Sequence, residues 1–282
     1  MRNEWFNERG QERFLAMLEM TTESPVAGEV LLSCNALNIA VQECVLVEQL
    51  GFHLAAGSIT AVLGRNGTGK SLTLHTLAGL RAHRGGEIAL QGRPFASYKR
   101  REIAQQLSFV PQDFEEPFPV TVLECAVSGR HPHIDFWQWE STHDYELARQ
   151  ALTAVDLHNF AERTVETLSG GERRRLAIAT ALAQQPRLFI LDEPTNHLDP
   201  QHQLQVLKLL RSKADHGCAV IMSLHDPNLA LRFADHALLL FGDGRWQHGM
   251  CRDTLVAGTL TQLYNTPIQE LSAAPERHFV SR

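Results

Sequence analysis

With 282 residues, of which 44% are hydrophobic, the chain is long enough to bury the core of one large domain or two small ones. A formal net charge of −6, with 21% charged residues, argues against a nucleic-acid partner. The five cysteines are scattered and include no Cys-x-x-Cys pair, which argues against a disulfide framework or a zinc site and favours a reducing compartment.

The N-terminal segment 1–29 is interrupted by charges and lacks the apolar core of a signal peptide, so we expect a flexible extension there. No apolar run in the sequence approaches the roughly 18–20 residues needed to span a bilayer. The sequence therefore predicts a cytoplasmic protein, which would serve a membrane only by docking on separate membrane subunits.

A glycine-rich loop lies between a predicted strand and a predicted helix in the first third of the chain. Residues 58–63 are apolar and β-branched, which predicts a buried strand. Residues 71–80 have helical spacing, with Leu74, Leu77 and Leu80 near one face. Strand, glycine loop and helix in this order are the context of a phosphate-binding P-loop, here formed by Gly64, Arg65, Asn66, Gly67, Thr68, Gly69, Lys70 and Ser71.

The residue types of this loop fit the chemistry of a nucleoside triphosphate. Glycines let backbone N–H groups turn toward phosphate oxygens, and the helix N-terminus adds the positive end of its dipole. We expect Lys70 to reach the β- and γ-phosphates and the Ser71 hydroxyl to ligate Mg²⁺.

A second helix N-terminus with glycines follows further along the chain. Strands are predicted at Glu87–Leu90 and Leu107–Val110, and residues 112–185 are mainly helical, with 146–155 as the clearest helix. Within this stretch, the Leu-Ser-Gly-Gly-Glu sequence at 168–172 opens a helix that has Ser169 near its cap and can face an anion. Because one phosphate cradle is already complete, the second makes sense if it serves a nucleotide held by another subunit.

An acidic pair follows the apolar strand Leu188–Leu191, at the carboxyl end where open α/β sheets bind ligands. Asp192 fits an outer-shell partner of Mg²⁺, and Glu193 fits the residue that orients or deprotonates an attacking water. Alternation of strands and helices resumes over 186–265, with a hairpin turn predicted at Asp243 and Gly244.

The order and spacing of these three motifs resemble the ATP-binding subunit of an ABC transporter over roughly residues 30–265. The resemblance implies an α/β fold, namely a P-loop NTPase (RecA-like) core with an inserted helical subdomain at about 112–185, followed by a C-terminal tail at 266–282. It also implies ATP hydrolysis with Mg²⁺ in a head-to-tail homodimer. Each ATP would lie between the P-loop of one subunit and the signature motif of the other, here Ser169, Gly170, Gly171 and Glu172.

Further positions are assigned from the same resemblance. Gln112 matches the glutamine that contacts Mg²⁺ or water, and with Ser71 and Asp192 it completes the expected Mg²⁺ set. Asp199 matches the aspartate at the dimer seam. His225, which ends the strand predicted at 220–224, matches the switch histidine that touches the γ-phosphate.

One position departs from the family pattern. The slot that often holds an aromatic residue stacked on adenine falls on Val41, and no Phe, Tyr or Trp lies between Val30 and Phe52. Aliphatic contact is weaker than base stacking. We therefore expect nucleotide binding with modest selectivity for ATP over GTP.

The resemblance implies transmembrane permease subunits as partners at the cytoplasmic side of the inner membrane, and a periplasmic substrate-binding protein that acts indirectly. A docking surface is expected around residues 117–121 and the helix that follows them. Three local sequences, at 128–133, 199–203 and 225–230, look like the branch that imports iron-siderophores, haem and cobalamin.

Alternatives to this assignment are an exporter subunit, an importer of another metal, and a soluble ABC ATPase acting on ribosomes. The last of these resembles two fused ATPase units with a charged linker, whereas this chain has one unit and no internal repeat. The close pair of His131 and His133 is a separate, weaker candidate for a metal site.

Overall fold

The computed structural model describes residues 28–113, 119–273 and 276–281. Nearly all of the predicted N-terminal extension, and residues 117 and 118 of the expected docking surface, therefore lie outside the described residues. In the described part, two β-sheets and their helices enclose two hydrophobic cores, and a β-hairpin packs near the C-terminus.

The first sheet is antiparallel and comes from the N-terminal third of the chain. Its strands are β1 (Val30–Val41), β2 (Cys44–Ala55), β4 (Glu87–Leu90) and β5 (Arg93–Pro94). They lie in the order β2-β1-β4-β5, so the long β1–β2 hairpin forms one side of the sheet. The turn of this hairpin brings Val41 opposite Cys44.

The second sheet carries the motif residues at the ends of its strands. These strands are β3 (Ile59–Leu63), β6 (Leu107–Val110), β7 (Leu188–Leu191), β8 (Ala219–Ser223), β9 (His236–Leu240) and β10 (Trp246–Met250). In the order β10-β9-β3-β8-β7-β6, all neighbours are parallel except β10 with β9. The carboxyl ends of the parallel strands therefore meet along one edge.

The central strands are mostly apolar, and both faces of the second sheet are buried. In β7, Leu188 and Ile190 lie in the core shared with the first sheet, whereas Phe189 and Leu191 lie in the core on the helix side. Alternation of side chains across a strand produces this division. The bounds predicted for β4, β6 and β7 are confirmed, as is the β9–β10 hairpin.

None of the helices in the part of the chain that the structure describes is long and apolar enough to cross a membrane. They are α1 (Lys70–Leu77), α2 (Arg100–Gln106), α3 (Val122–Ser128), α4 (Thr142–Ala154), α5 (Gly170–Ala183), α6 (Pro200–Asp215), α7 (Pro227–Phe233), α8 (Cys251–Thr254) and α9 (Ala257–Tyr264). Helices α3, α4 and α5 pack on one another within the range 112–185, where a helical subdomain is expected.

The helix after the glycine loop is shorter than the predicted 71–80. It ends at Leu77 with Ala78 as its C-cap, because the next residue, Gly79, adopts a left-handed φ of +70°. Leu74 and Leu77 are buried as predicted, but Leu80 lies beyond the helix and is 64% exposed. The prediction of one apolar face over all three leucines was therefore wrong at Leu80.

The predicted helix at 146–155 begins earlier in the structure, at Thr142. Ser141 and Asp144 form a capping box that starts it one turn upstream.

The segment described from the sequence as a C-terminal tail forms an antiparallel hairpin of β11 (Ile268–Ala273) and β12 (Glu276–Ser281). Phe279 is 5% exposed and belongs to the helix-side core. The backbone of Phe279 is bound by the side chain of Asn228 in α7. Most of this segment is therefore packed on the domain.

Candidate functional site

The glycine-rich loop leaves β3 and turns tightly into α1. At Gly64 a Cβ atom would lie 2.5 Å from the carbonyl oxygen of Leu240 and 2.6 Å from Thr68 Oγ1, so only glycine permits this approach. Gly69 precedes α1 with a left-handed φ of +96°. Thr68 Oγ1 donates to the Arg65 carbonyl at 2.9 Å, which closes the turn. The loop has the geometry expected of a phosphate cradle.

Lys70 is buried beneath this loop and is 5% exposed. Its Nζ donates to the carbonyl oxygens of Gly64 at 2.9 Å and Arg65 at 3.2 Å. Burial lowers the pKa of Lys70, and the nearby carboxylates of Glu193 and Asp192 act in the opposite direction. The ammonium group is thus held where phosphate oxygens would replace backbone carbonyls as its partners.

A cavity of about 520 Å³ opens at this loop, a volume within the range of small-molecule sites. Its walls combine the loop with residues that are far apart in the sequence and that end other strands. The lining consists of Val41, Leu46, Asn66, Gly67, Gly69, Lys70, Ser71, Leu72, Gln112, Glu193, Asn196 and His225.

Val41 is 42% exposed and lines this cavity with Leu46. Both belong to the β1–β2 hairpin, and the Leu46 side chain lies 3.3 Å from where a Cβ on Gly69 would stand. The wall beside the glycine loop is therefore aliphatic at these two positions.

Ser223 at the end of β8 holds the acidic pair at the end of β7. Asp192 is 1% exposed and accepts a hydrogen bond from Ser223 Oγ at 2.6 Å. The same Oγ accepts the backbone N–H of Glu193 at 2.7 Å. A buried carboxylate needs such a partner. Ser71 and Gln112 line the cavity, whereas Asp192 is buried at the strand end and does not line it. All three side chains carry oxygen atoms of the kind that Mg²⁺ prefers as ligands.

Glu193 is the centre of the polar side chains at this edge. His225 Nε2 lies 2.7 Å from Glu193 Oε1, and the Asn196 amide donates to Oε2. The backbone of Glu193 has a left-handed φ of +50°, which is unusual for a residue other than glycine and is frequent at functional sites. Its carboxylate faces the cavity with both oxygens held in place.

Arg174 links the signature helix α5 to the strand ends, a role that no local sequence pattern indicates. It is 3% exposed, and its guanidinium donates to the carbonyl oxygens of Pro111, Gln112 and Asp192. Burial lowers the pKa of Arg174 to about 10, against the effect of nearby carboxylates. The side chain fixes the exits of β6 and β7 relative to α5.

The signature residues do not line the cavity of their own chain. Ser169 caps α5, since its Oγ accepts the Glu172 N–H at 3.3 Å and Glu172 Oε2 accepts the Ser169 N–H at 2.7 Å. These bonds lower the pKa of Glu172. A Cβ on Gly171 would lie 2.9 Å from the His197 carbonyl oxygen, whereas Gly170 has more space. The predicted helix N-terminus is confirmed.

Asp199, assigned to the dimer seam, caps α6 in this structure. Its carboxylate accepts the His202 N–H at 3.0 Å and lies 2.7 Å from His202 Nδ1. These hydrogen bonds lower the pKa of the Asp199 carboxyl group. The side chain is more than half exposed, so it is accessible to a second molecule.

The weak expectation of a metal site at His131 and His133 was wrong. His133 Nε2 forms a hydrogen bond to the Gln184 carbonyl at 2.8 Å, while His131 Nε2 lies 3.5 Å from Glu140. The two rings are thus engaged by different groups. Among the described residues, no cluster of three or more His, Cys, Asp or Glu side chains could hold a metal ion.

Comparison with known proteins gives a consistent result. The family model of the ABC transporter matches residues 47–196. The siderophore transport system ATP-binding protein YusV of Bacillus subtilis (strain 168) is 34% identical over 245 residues, which cover 86% of this chain and 88% of that protein. The molybdate import ATP-binding protein MolC of Haemophilus influenzae (strain ATCC 51907 / DSM 11121 / KW20 / Rd) is 38% identical over 235 residues, which cover 83% of this chain and 87% of that protein.

Among solved structures, a metal-chelate type ABC transporter in an inward-facing conformation is similar with a TM-score of 0.78. It is 35% identical, and the match covers 90% of this chain and 98% of that chain. The region matched by the family model, residues 47–196, contains the glycine-rich loop, the acidic pair after β7 and the signature helix α5. The chain therefore belongs to the ABC transporter family, in which it is an ATP-hydrolysing ATP-binding subunit.

Proposed function

We propose that two copies of this chain power a metal-chelate importer, docked on transmembrane permease subunits at the cytoplasmic side of the inner membrane. The observation that carries the proposal is the single sheet edge where buried Lys70 and the Glu193–His225 pair face one cavity. The relatives named above are transport proteins, which favours transport over the alternative of an ATPase acting on ribosomes.

ATP hydrolysis follows from the chemistry of this edge. Lys70 binds the β- and γ-phosphates and offsets their charge. Glu193 orients a water for attack on the γ-phosphorus and takes up its proton as the bond to the bridging oxygen breaks, which leaves ADP and inorganic phosphate. His225 contacts the γ-phosphate while Asn196 keeps the Glu193 carboxylate turned toward the cavity.

Ser71, Gln112 and Asp192 would hold Mg²⁺. Their oxygen atoms suit this hard cation, and the cation would neutralise charge on the phosphates. The burial of Asp192 and its bond from Ser223 keep its carboxylate in a fixed orientation at the strand end.

A head-to-tail homodimer explains the second helix N-terminus. Ser169, Gly170, Gly171 and Glu172 are absent from the cavity wall of their own chain, yet their helix start is built to face an anion. In the proposed dimer they bind the γ-phosphate held by the partner subunit, and Asp199 lies at the seam between subunits.

Docking on the permease is proposed around residues 119–121 and helix α3, the described part of the expected surface. The substrate-binding protein of the transporter would act from the periplasm. The cargo is an iron-siderophore, haem or a corrinoid. Similarity to the ATP-binding protein of a siderophore transport system and to a metal-chelate type transporter supports this class of cargo. Similarity to a molybdate import protein makes molybdate the competing cargo.

Uptake by a strain that lacks the gene tests the proposal. We expect loss of labelled iron-chelate, haem or corrinoid uptake, with recovery on expression of the wild-type chain but not of Glu193→Gln. Molybdate uptake is measured in parallel as the competing cargo. Normal uptake of all three chelate classes, in a strain without a second subunit to compensate, contradicts the importer assignment.

A further inference from the structure

The side chain of His225 is 46% exposed, so packing covers only part of its ring. The position of the imidazole therefore also depends on the backbone that carries it. The His225 carbonyl oxygen accepts a hydrogen bond at 3.3 Å from the hydroxyl of Tyr264, the last residue of α9. Burial, aided by the negative charge of Asp226, raises the pKa of Tyr264, so the hydroxyl stays protonated and donates.

Asn228, three residues after His225, ties this backbone to the C-terminal hairpin. Its Oδ1 accepts the Phe279 N–H at 2.7 Å, and its Nδ2 donates to the Phe279 carbonyl at 3.1 Å. The side-chain amide thus pairs with the backbone of Phe279 as a neighbouring strand would. Asp226 Oδ1, in turn, accepts from the Asn228 backbone N–H at 2.8 Å and from Nδ2 at 3.0 Å.

The hairpin is itself anchored to the domain. Arg277 forms a two-point ion pair with Glu270 across the hairpin, at 2.7 and 2.9 Å. The same guanidinium donates to the carbonyl oxygens of Arg252 in α8 at 2.9 Å and of Leu255, the C-cap of α8, at 3.1 Å. With Phe279 buried in the core, β12 is a fixed support for the start of α7.

We propose that the C-terminal hairpin β11–β12, through Asn228 and together with Tyr264, is a positioning device for His225. It fixes the backbone of residues 225–228 so that the imidazole reaches Glu193. A displacement of about 1 Å at a reacting group can cost a large part of the rate. The inference rests on the proposed role of His225 in hydrolysis.

The first test removes individual hydrogen bonds that hold the backbone near His225. Tyr264→Phe deletes only the hydroxyl that holds the His225 carbonyl, and Asn228→Ala deletes the pairing with Phe279. We expect each variant to lower kcat by about five- to tenfold while the Kd for ATP changes by less than about twofold. Tyr98→Phe is the matched control, since it removes an equivalent bond from Tyr98 to the Leu90 carbonyl, 2.8 Å long, on the first sheet.

A double-mutant cycle separates positioning from general stability. In a His225→Ala background, measured under single-turnover conditions, Tyr264→Phe and Asn228→Ala should change the rate by less than about twofold, because the group they position is gone. If Tyr264→Phe and Asn228→Ala lower the rate of hydrolysis by the same factor in both backgrounds, the inference is overturned. It is also overturned if Tyr98→Phe lowers the rate as much as Tyr264→Phe does.

The catalytic role of His225 and the positioning role of the hairpin can be tested separately. If His225→Ala hydrolyses ATP at the wild-type rate, the proposed role of His225 falls, and the positioning role falls with it. If His225→Ala is slow but Tyr264→Phe is as fast as wild type, only the positioning inference is overturned. Tyr264→Phe is the deciding variant wherever Asn228→Ala unfolds at the assay temperature.

Discussion

His225 Nε2 lies 2.7 Å from Glu193 Oε1, so a histidine from the end of β8 and a glutamate from the end of β7 form one unit at the sheet edge. The other oxygen of Glu193 is held by Asn196, only three residues further along the chain. The carboxylate is therefore oriented from two sides, by one neighbour that is local in sequence and one that is distant.

Asn196 is predicted to orient Glu193. Asn196→Ala removes the donor to Oε2 without adding charge, so the carboxylate gains rotational freedom. We expect kcat to fall by about tenfold, with ATP affinity nearly unchanged. Asn159→Ala, at an exposed asparagine between α4 and α5, is the control. Equal activity of the two variants would show that Asn196 does not orient the carboxylate.

The proposed dimer predicts that Ser169→Arg and Lys70→Ala complement each other. A mixed dimer contains one intact site and one doubly damaged site, because each site takes its P-loop and its signature motif from different subunits. Equal mixtures should regain ATPase activity that neither variant has alone, as measured by phosphate release.

The control for this mixture is Ser141→Arg, which disrupts the capping box of α4 in place of that of α5. It should retain activity by itself. Mixtures of Ser169→Arg and Lys70→Ala that stay inactive under conditions where dimers form would contradict the shared site.

Val41 is predicted to limit base selectivity. It lines the cavity beside Leu46, and Val41→Tyr places an aromatic ring on that wall. Stacking on a base is worth about 1–3 kcal/mol per base elsewhere, so ATP should bind at least about fivefold more tightly to the variant. Titration with ATP and GTP gives both affinities. Strong rejection of GTP by the wild-type chain would mean that the base is read elsewhere.

Lys213 gives a prediction on stability and pH. It is 9% exposed, and burial lowers its pKa to about 8, with Cys218 acting in the opposite direction. The unfolded chain holds this proton up to a pKa near 10.4, so between about pH 8 and 10 the unfolded state binds more protons. The contribution of Lys213 to the free energy of unfolding therefore rises with pH across this window.

Lys213→Met should accordingly raise the free energy of unfolding at pH 7.5 by up to a few kcal/mol, and the gain should shrink toward pH 10. Urea unfolding of the wild type and the variant at both pH values measures this difference in the free energy of unfolding. Lys208→Met, at an exposed position of α6, is the control. A gain that does not depend on pH would contradict the assignment.

The site residues that could be predicted from the sequence lie in short, contiguous motifs. Strand, glycine loop and helix placed Lys70 and Ser71, and the apolar β7 placed Asp192 and Glu193 at the ligand edge, because parallel strands present their carboxyl ends together. The signature helix start at Ser169 was also predictable, since its cap is formed within four residues.

Contacts between distant segments were not predictable in this way. Arg174 reaches the strand exits at Gln112 and Asp192, and Asn228 binds Phe279 about fifty residues away, so no local pattern reports either pair. Leu80 followed the helical spacing but lies past the left-handed Gly79, where the backbone leaves the helix. Periodicity alone does not locate such an end.

Single-turnover hydrolysis by Glu193→Gln tests the central claim most directly. The substitution keeps the shape of the side chain and removes the negative carboxylate, so ATP binding should persist while hydrolysis falls by about 10²-fold or more. Glu146→Gln, at an exposed position of α4, should be as active as wild type. Glu193→Gln should also accumulate as an ATP-bound dimer, which size-exclusion chromatography detects. Hydrolysis at the wild-type rate in Glu193→Gln would contradict the account.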